Sequence, residues 1–384
     1  MKFYKDTNVL DEAKARINRI FDEFDNVVVG FSGGKDSTCV LNLTLQIAKE
    51  RNRLPQKVMF VDQEAEWQFT IDYVKDIMYR DDVEPFWIQV PFKITNSTSS
   101  TSDHLEAWGE GQKWMRDKDP ISIKMNTYMT GKNSSHLDEF YKFFPNFFKH
   151  QFPNIKSAYL AGVRAEESPT RAMALTNGVT YKDITWGKTL NKQEGHYTFY
   201  PLYDWSYSDV WKAIHEHSWQ YCKVYDYMYQ HGHAIQDMRV SNLHHETAIK
   251  QLFFLQEIES DTYNKLTERL QGVSTASRLG EDDFFVKELP YMFLDWKEYR
   301  DFLVTKLLPE TSIPLFKEQF IKLDKKYGTM RNIDKFHKVC VQSIVINDFG
   351  FVKIKNWERN PDVDTWRKYQ KGKISRHTIK NKYI

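Results

Sequence analysis

At 384 residues, with 41% hydrophobic and 28% charged side chains, the sequence is too long for one average core and too apolar for a disordered chain. Its 54 Lys and Arg nearly cancel 52 Asp and Glu, leaving +2, so overall charge singles out neither nucleic acid nor an acidic partner. Cys39, Cys222 and Cys340 stand far apart with no C-x-x-C pair, which argues against a disulfide framework or a cysteine metal cluster. There is no apolar signal core at the start and no run near the roughly 18 apolar residues of a membrane span, which predicts a cytoplasmic protein that does not enter a membrane.

Asn8 to Phe24 sets Leu10, Ala13, Ile17, Ile20 and Phe21 at helical spacing between charges, predicting an amphipathic opening helix. Val27-Val28-Val29-Gly30-Phe31 reads as a buried parallel strand, and helical spacing returns from Thr38 to Glu50. Lys57 to Val61 and Pro85 to Val90 are expected as further strands around a helix from Trp67 to Tyr79. Ser157 to Val163 and His196 to Leu202 follow as strands, the second leading into a helix from Ser208 to Glu216. Repeated βα units imply an α/β fold with a doubly wound, mostly parallel sheet.

Residues 95–150, with Ser and Thr at 97–102 and no clear period afterwards, are expected as an insertion or lid. Helical spacing over His244 to Leu270, Asp295 to Leu307 and Pro314 to Tyr327 makes the last third mainly helical. The expected division is an α/β domain over 1–235, a helical domain over 236–345 and a basic tail over 346–384. From Val352 onward ten basic residues (Lys353, Lys355, Arg359, Arg367, Lys368, Lys371, Lys373, Arg376, Lys380, Lys382) face Glu358, Asp362 and Asp364. Interleaved with Trp357, Trp366 and Tyr369, they suit phosphate contacts and base stacking on DNA, although such a run is more often only a solvated face.

The chemistry is expected at Ser32-Gly33-Gly34-Lys35-Asp36-Ser37, which follows a strand and opens a helix. Two residues without Cβ let backbone N–H groups converge at the positive helix end, where a phosphate can settle, and Ser32, Ser37 and Lys35 add donors. The longer P-loop spacing is absent, so a kinase or motor ATPase is disfavoured.

This hexapeptide resembles the signature of the PP-loop ATP pyrophosphatase superfamily, whose fold is adenine nucleotide alpha hydrolase-like. The neighbouring residues are similar to its phosphoadenosine phosphosulfate reductase branch. Val61-Asp62 matches the acidic strand end of that branch, with Gln63-Glu64 in place of the usual Thr-Gly. Gly162-x-Arg164-x-x-x-Ser168-x-x-Arg171 matches a second segment: Gly162 would admit the nucleotide, Arg164 and Arg171 would present planar donors to its anionic groups, and Glu167 would orient them. A third match, Pro201-Leu202-Tyr203-Asp204-Trp205-Ser206-Tyr207-Ser208-Asp209-Val210-Trp211, is better read as scaffold, with Ser206 or Ser208 capping a helix and Trp205 and Trp211 packing.

The cysteine segment with which reductase members attack the sulfuryl group has no counterpart, and neither do the iron–sulfur cysteines of phosphorothioation relatives. Cys39 is expected in the core, and His215, His217, Cys222, His231 and His233 do not repeat a zinc-finger spacing. The chain is similar to the reductase-like group typified by the immunoglobulin-binding regulator A proteins of enterobacteria and their phages, which also lack that cysteine and occur beside a ParB-like protein. The resemblance implies an enzyme that binds ATP or phosphoadenosine phosphosulfate with Mg2+ held by Asp36 or Asp62. It would transfer an adenylyl or sulfuryl group through Lys35, Asp36, Asp62, Arg164 and Arg171, with release of pyrophosphate or nucleotide. The alternative is a regulator that binds nucleotide without turnover and engages DNA and a ParB-like partner.

Overall fold

The computed structural model describes residues 6–95, 104–124, 140–176, 178–235, 238–240, 242–244, 249–270, 273, 288–308, 310–330, 333–345, 348 and 350–375. The chain separates into two compact units, residues 1–94 with 106–242 and residues 95–105 with 243–384.

The first unit is built on a six-stranded sheet. Helix α1 (Val9–Glu23) starts where the Asn8 side chain accepts the Asp11 N–H at 2.9 Å, and it buries Ala13, Ile17, Ile20 and Phe21 on one face. Strand β1 (Asn26–Gly30) is buried at every residue, as an apolar run must be when both sheet faces are covered. There follow α2 (Lys35–Glu50), β2 (Gln56–Val61), α3 (Gln68–Met78), β3 (Val83–Ile88) and α4 (Phe140–Gln151); between β3 and α4 the chain forms a small two-stranded sheet of β4 (Phe92–Thr95) and β5 (His104–Ala107), of which residues 95 and 104–105 are counted with the second unit. The unit closes with β6 (Ser157–Leu160), α5 (Pro169–Thr176), β7 (Gly187–Asn191), β8 (His196–Phe199), α6 (Tyr207–Glu216) and α7 (Val224–Gln230).

The strand order is β3-β2-β1-β6-β8-β7, with every neighbouring pair parallel except β7 and β8. This is the expected α/β architecture with a mostly parallel sheet. Three elements of it escape the sequence pattern. Helix α4 forms inside the stretch expected as an aperiodic lid and carries Pro145 within it; β7 pairs antiparallel at the sheet edge; and β6 stops at Leu160, which leaves Ala161, Gly162 and Val163 as loop. The Ser and Thr patch at 97–102 lies outside the described residues.

In the second unit the stretch expected as one helical run contains α8 (Ile249–Ile258) and α9 (Ser260–Arg269), while His245 to Ala248 lie outside the described residues. Then come α10 (Trp296–Lys306), opened by the Asp295 side chain, α11 (Ile313–Tyr327), α12 (Ile333–Val345), α13 (Val352–Glu358) and α14 (Pro361–Gln370). The expectation of a basic tail is corrected here. Ile354, Val363 and Trp366 belong to the buried core with Phe316, Tyr327 and Phe336, and Trp357, Tyr369 and Ile374 pack against it. Burying these aromatic faces against other side chains removes them from base stacking. Arg376, Lys380 and Lys382 lie outside the described residues. Among the described residues no helix is long and apolar enough to cross a membrane.

Candidate phosphate-binding site

Strands β2 and β3 lie on one side of β1, and β6 and β8 on the other, so the chain direction across the sheet reverses between β1 and β6. Those two strands are parallel and in register to Val29 and Leu160, so the loops that leave them, Ser32–Ser37 and 161–171, start level with each other. In open α/β sheets this crevice beyond the carboxyl ends is where ligands bind.

The loop after β1 is held by its own residues. Gly33 has φ +73°, and a Cβ there would lie 2.7 Å from Thr70 Cγ2, so both backbone and space demand glycine. Gly34 opens α2 with no side-chain cap, which leaves the positive end of a 16-residue helix facing the crevice. The two serines mainly brace the turn: Ser37 Oγ donates to Gly34 O at 2.9 Å and accepts the Ser32 N–H at 3.2 Å. Lys35 N–H donates to the Tyr225 hydroxyl at 3.0 Å.

Gly162 has a packing role that the sequence pattern does not show. A Cβ on it would come within 2.7 Å of Asp36 C and Ser37 N, so its lack of a side chain lets the second loop press against the first turn of α2. The two loops thereby form one body.

Charge gathers around that turn. Lys35 is 4% exposed; its Nζ donates to Met238 O at 3.0 Å, stands 3.4 Å from Asp36 Oδ2 and lies 5.3 Å from the Tyr225 ring centre. Burial lowers the Lys35 pKa, Asp36 opposes the shift, and Arg164 and Arg239 add to it. Arg164 is equally buried: its Nε donates to Asp36 Oδ1, and its Nη1 donates to Glu166 Oε2 at 3.1 Å and Trp205 O at 3.4 Å. Arg164 is therefore a brace for Asp36 more than an open clamp. Arg171, whose side chain is 45% exposed, pairs with Glu167 as expected, and burial followed by the nearby Arg239 lowers its pKa. Ser168 caps α5 by accepting the Arg171 N–H at 3.2 Å. Asp36 thus lies within electrostatic reach of Lys35, Arg164 and Arg171 about the end of α2, and the charge of Arg239 acts on Lys35 and Arg171.

The Asp62 side of the site revises the sequence reading. Asp62 is fully buried, and its Oδ2 accepts from Trp87 Nε1 at 3.0 Å and Gln89 Nε2 at 2.8 Å. Its Oδ1 accepts from Glu64 N at 2.9 Å and from Arg116. A carboxylate so saturated holds the end of β2 together and has no lone pair to spare for the expected metal. Glu64 (φ +68°) accepts Trp108 N–H at 2.8 Å and Met115 N–H at 3.2 Å, which explains why an acid stands in this loop. Burial, reinforced by Asp62, pushes Glu66 up to about 8. Among the described residues no three His, Cys, Asp or Glu side chains are grouped to hold a metal ion, and the histidines between 215 and 233 form no such set.

All three cysteines are fully buried, and burial raises the thiol pKa of Cys39 and Cys340. None presents a thiolate to a substrate. The third segment is scaffold: Ser206 and Asp209 form a reciprocal capping box on α6, and Trp205 Nε1 donates to Val9 O at 3.0 Å. Trp211 meets the rings of Tyr221 and Tyr225 edge-on at 5.4 and 5.2 Å. Sequence reasoning missed Arg239, Arg116, Glu66 and Tyr225, none of which lies in a recognisable pattern.

Residues 26–231, from β1 to just past α7, match the phosphoadenosine phosphosulfate reductase domain. The chain belongs to this family. Both loops of the crevice lie within the matched stretch. The chain is also 29% identical over 317 residues to the uncharacterized protein YbdN of Escherichia coli (strain K12), covering 79% of this chain and 77% of that one. Among solved structures it is similar to the Candida glabrata FMN adenylyltransferase in complex with FMN and the ATP analog AMPCPP, at 15% identity and a TM-score of 0.36, covering 59% of this chain and 63% of that one. It is similar too to the phosphoadenylyl-sulfate reductase of Candida auris in its phosphate complex, at 13% identity and a TM-score of 0.30, covering 59% of this chain and 93% of that one. The chain thus spans under two thirds of the adenylyltransferase it matches.

Proposed function

We propose that this chain is a PP-loop enzyme that binds ATP or phosphoadenosine phosphosulfate at Ser32–Ser37 and transfers its adenylyl or sulfuryl group, releasing pyrophosphate or nucleotide. The observation that carries the reading is the gathering of Lys35, Arg164 and Arg171 about Asp36 at the end of α2, where Gly34 brings no capping side chain, at the β1/β6 reversal. Fixed positive groups in a crevice stabilise negative charge that develops on a leaving phosphate without reorganising during the reaction.

The residues divide their work by accessibility. Gly33 and Gly34 give the phosphates room against the helix end, and Lys35 turns from Met238 O toward the leaving group. Arg171, the most exposed of the three cations, touches the transferred group, while Arg164 fixes Asp36 and Glu167 fixes Arg171. Mg2+ entering with the phosphates needs only one or two protein carboxylates, and Asp36 is the one that borders the cradle. Asp62 and Ser168 support the loops from behind. Thiol-dependent reduction does not fit three buried cysteines, which also keeps the reductase-like regulator group as the subfamily reading. Base stacking by Trp357 and Trp366, the basis for a DNA-bound regulator, does not fit their packing.

The test is release of pyrophosphate from ATP, and of adenosine 3′,5′-bisphosphate from phosphoadenosine phosphosulfate, by the full chain and by Lys35→Ala and Gly34→Val. Wild type should release one of them, and both variants should lose nucleotide binding while staying folded. Unchanged binding in both variants would sink the cradle. Tight binding without release by wild type would favour the regulator.

A further inference from the structure

A pocket of about 410 Å³ opens on α6 and α7, lined by five aromatic residues, Tyr207, Trp211, Tyr221, Tyr225 and Tyr229, with Asp226 as its one charged residue among those described. Two of its lining residues belong to the cradle as well. The Tyr225 hydroxyl accepts the Lys35 N–H at 3.0 Å, and the carbonyl of Met238, which also lines the pocket, accepts from Lys35 Nζ at 3.0 Å. On the second loop, Glu166 Oε2 accepts the Tyr207 N–H at 2.7 Å. The pocket is therefore tied to both loops of the crevice and shares Tyr225 with the first turn of α2.

The ring geometry decides what such a pocket takes. Trp211 meets Tyr221 at 5.4 Å and 85° and Tyr225 at 5.2 Å and 84°, so the rings stand across one another and make corners. A flat ring stacks best between parallel faces, which these are not. A compact cation is attracted by the face of each ring and touches several faces at a corner. The charge agrees: Asp226 is exposed, its carboxylate accepts from the Tyr221 hydroxyl at 2.7 Å, and no described Lys or Arg lines the pocket. Trp211, Tyr221 and Asp226 also line a second pocket of about 980 Å³, where Asp72 and Asp76 outnumber Lys223. Lys35 Nζ stands 5.3 Å from the Tyr225 ring centre without lining the pocket, and Asp36 Oδ2 at 3.4 Å answers its charge. Resting on the transfer reaction proposed above, we infer that this pocket is an aromatic cage for an alkylated ammonium group of the acceptor substrate. Tyr225 is the wall common to acceptor and nucleotide, since its ring lines the cage while its hydroxyl holds the turn of the cradle.

The experiment titrates the full chain by calorimetry with choline, with its uncharged isostere in which carbon replaces the nitrogen, and with phenol as a flat ring. Choline should bind about tenfold more tightly than either of the others. Tyr229 is 64% exposed, so its replacement leaves the fold alone. Tyr229→Ala and Asp226→Asn should each weaken choline by about threefold to tenfold, and Tyr229→Phe, which keeps the ring face, should bind as wild type does. Choline affinity should be unchanged when ATP fills the cradle. Phenol binding better than choline, or the isostere binding as well as choline, overturns the inference, because the pocket then takes a flat or merely apolar group. Displacement of choline by ATP overturns it too, since acceptor and nucleotide must be bound together. ATP binding without choline binding overturns the cage and leaves the cradle standing. Choline binding without ATP binding overturns the nucleotide reading, and the acceptor role of the cage with it.

Discussion

Gly162 lies so close to the peptide joining Asp36 to Ser37 that a Cβ on it would stand 2.7 Å from both the Asp36 carbonyl carbon and the Ser37 nitrogen. The atoms it would strike are backbone at the head of a helix and cannot swing aside. Gly162→Val should therefore part the two loops and cost about 1–3 kcal/mol in stability, as overpacking does. Because the displaced atoms are those of the cradle, nucleotide affinity should fall by more than the loss of stability explains. Thermal melting and calorimetry on one preparation check this; a variant with wild-type affinity would show that the loops work independently.

Asp36 and Arg164 form the ionic bond between the same loops, with Arg164 4% exposed. Removing either partner leaves a mostly buried charge without its counterpart, at a cost of about 3 kcal/mol or more. In Asp36→Asn with Arg164→Met both charges go together, so the double variant should be less destabilised than the sum of the singles. Denaturant unfolding of all four proteins gives the coupling; additive losses would mean that Glu166 and Lys35 fully substitute.

Glu66 supplies a pH test. Its carboxyl is raised to about 8 from an ordinary 4.5 by burial and by Asp62, so the folded protein holds a proton that the unfolded chain has already released. The folded state is thus undisturbed by Glu66 below pH 4.5 and loses stability as the pH climbs toward 8, with no further loss above. Glu66→Gln cannot ionise. Its stability relative to wild type should therefore improve between pH 5 and pH 8, by at most roughly 1.4 kcal/mol per unit. Parallel stability curves for the two proteins over that range would contradict the assignment.

The sheet and the cradle were legible in the sequence because each rests on a local pattern: an apolar run for β1, two glycines, then helical spacing. What was not legible depends on distance along the chain. Asp62 could be found but not understood, since Trp87, Gln89 and Arg116 reach it from 25, 27 and 54 residues away and turn an expected metal ligand into a hydrogen-bond hub. Arg239 has no pattern at all and matters only through where Lys35 and Glu167 hold its segment. Strand β7 is an edge strand with exposed Lys188 and Thr189 and so lacks an apolar signature, while Pro145 masked α4. In the C-terminal stretch, Val363 and Trp366 stand at helical spacing, but the surrounding lysines suggested a solvated arm.

Trp366 decides between those two views of the C-terminal stretch. It is 3% exposed and lies in one core with Phe316, Tyr327, Phe336 and Val363. If it stacked on DNA bases, Trp366→Ala would lower DNA retention and leave the fold intact. Its burial predicts the opposite order of effects. A large side chain removed from a packed core costs about 3–5 kcal/mol, so the variant should lose helical signal at a clearly lower temperature. The exposed Lys371→Ala removes charge without creating a cavity and should melt with wild type. Circular dichroism melts of the two variants separate the readings: a Trp366→Ala protein as stable as wild type would return this segment to the surface.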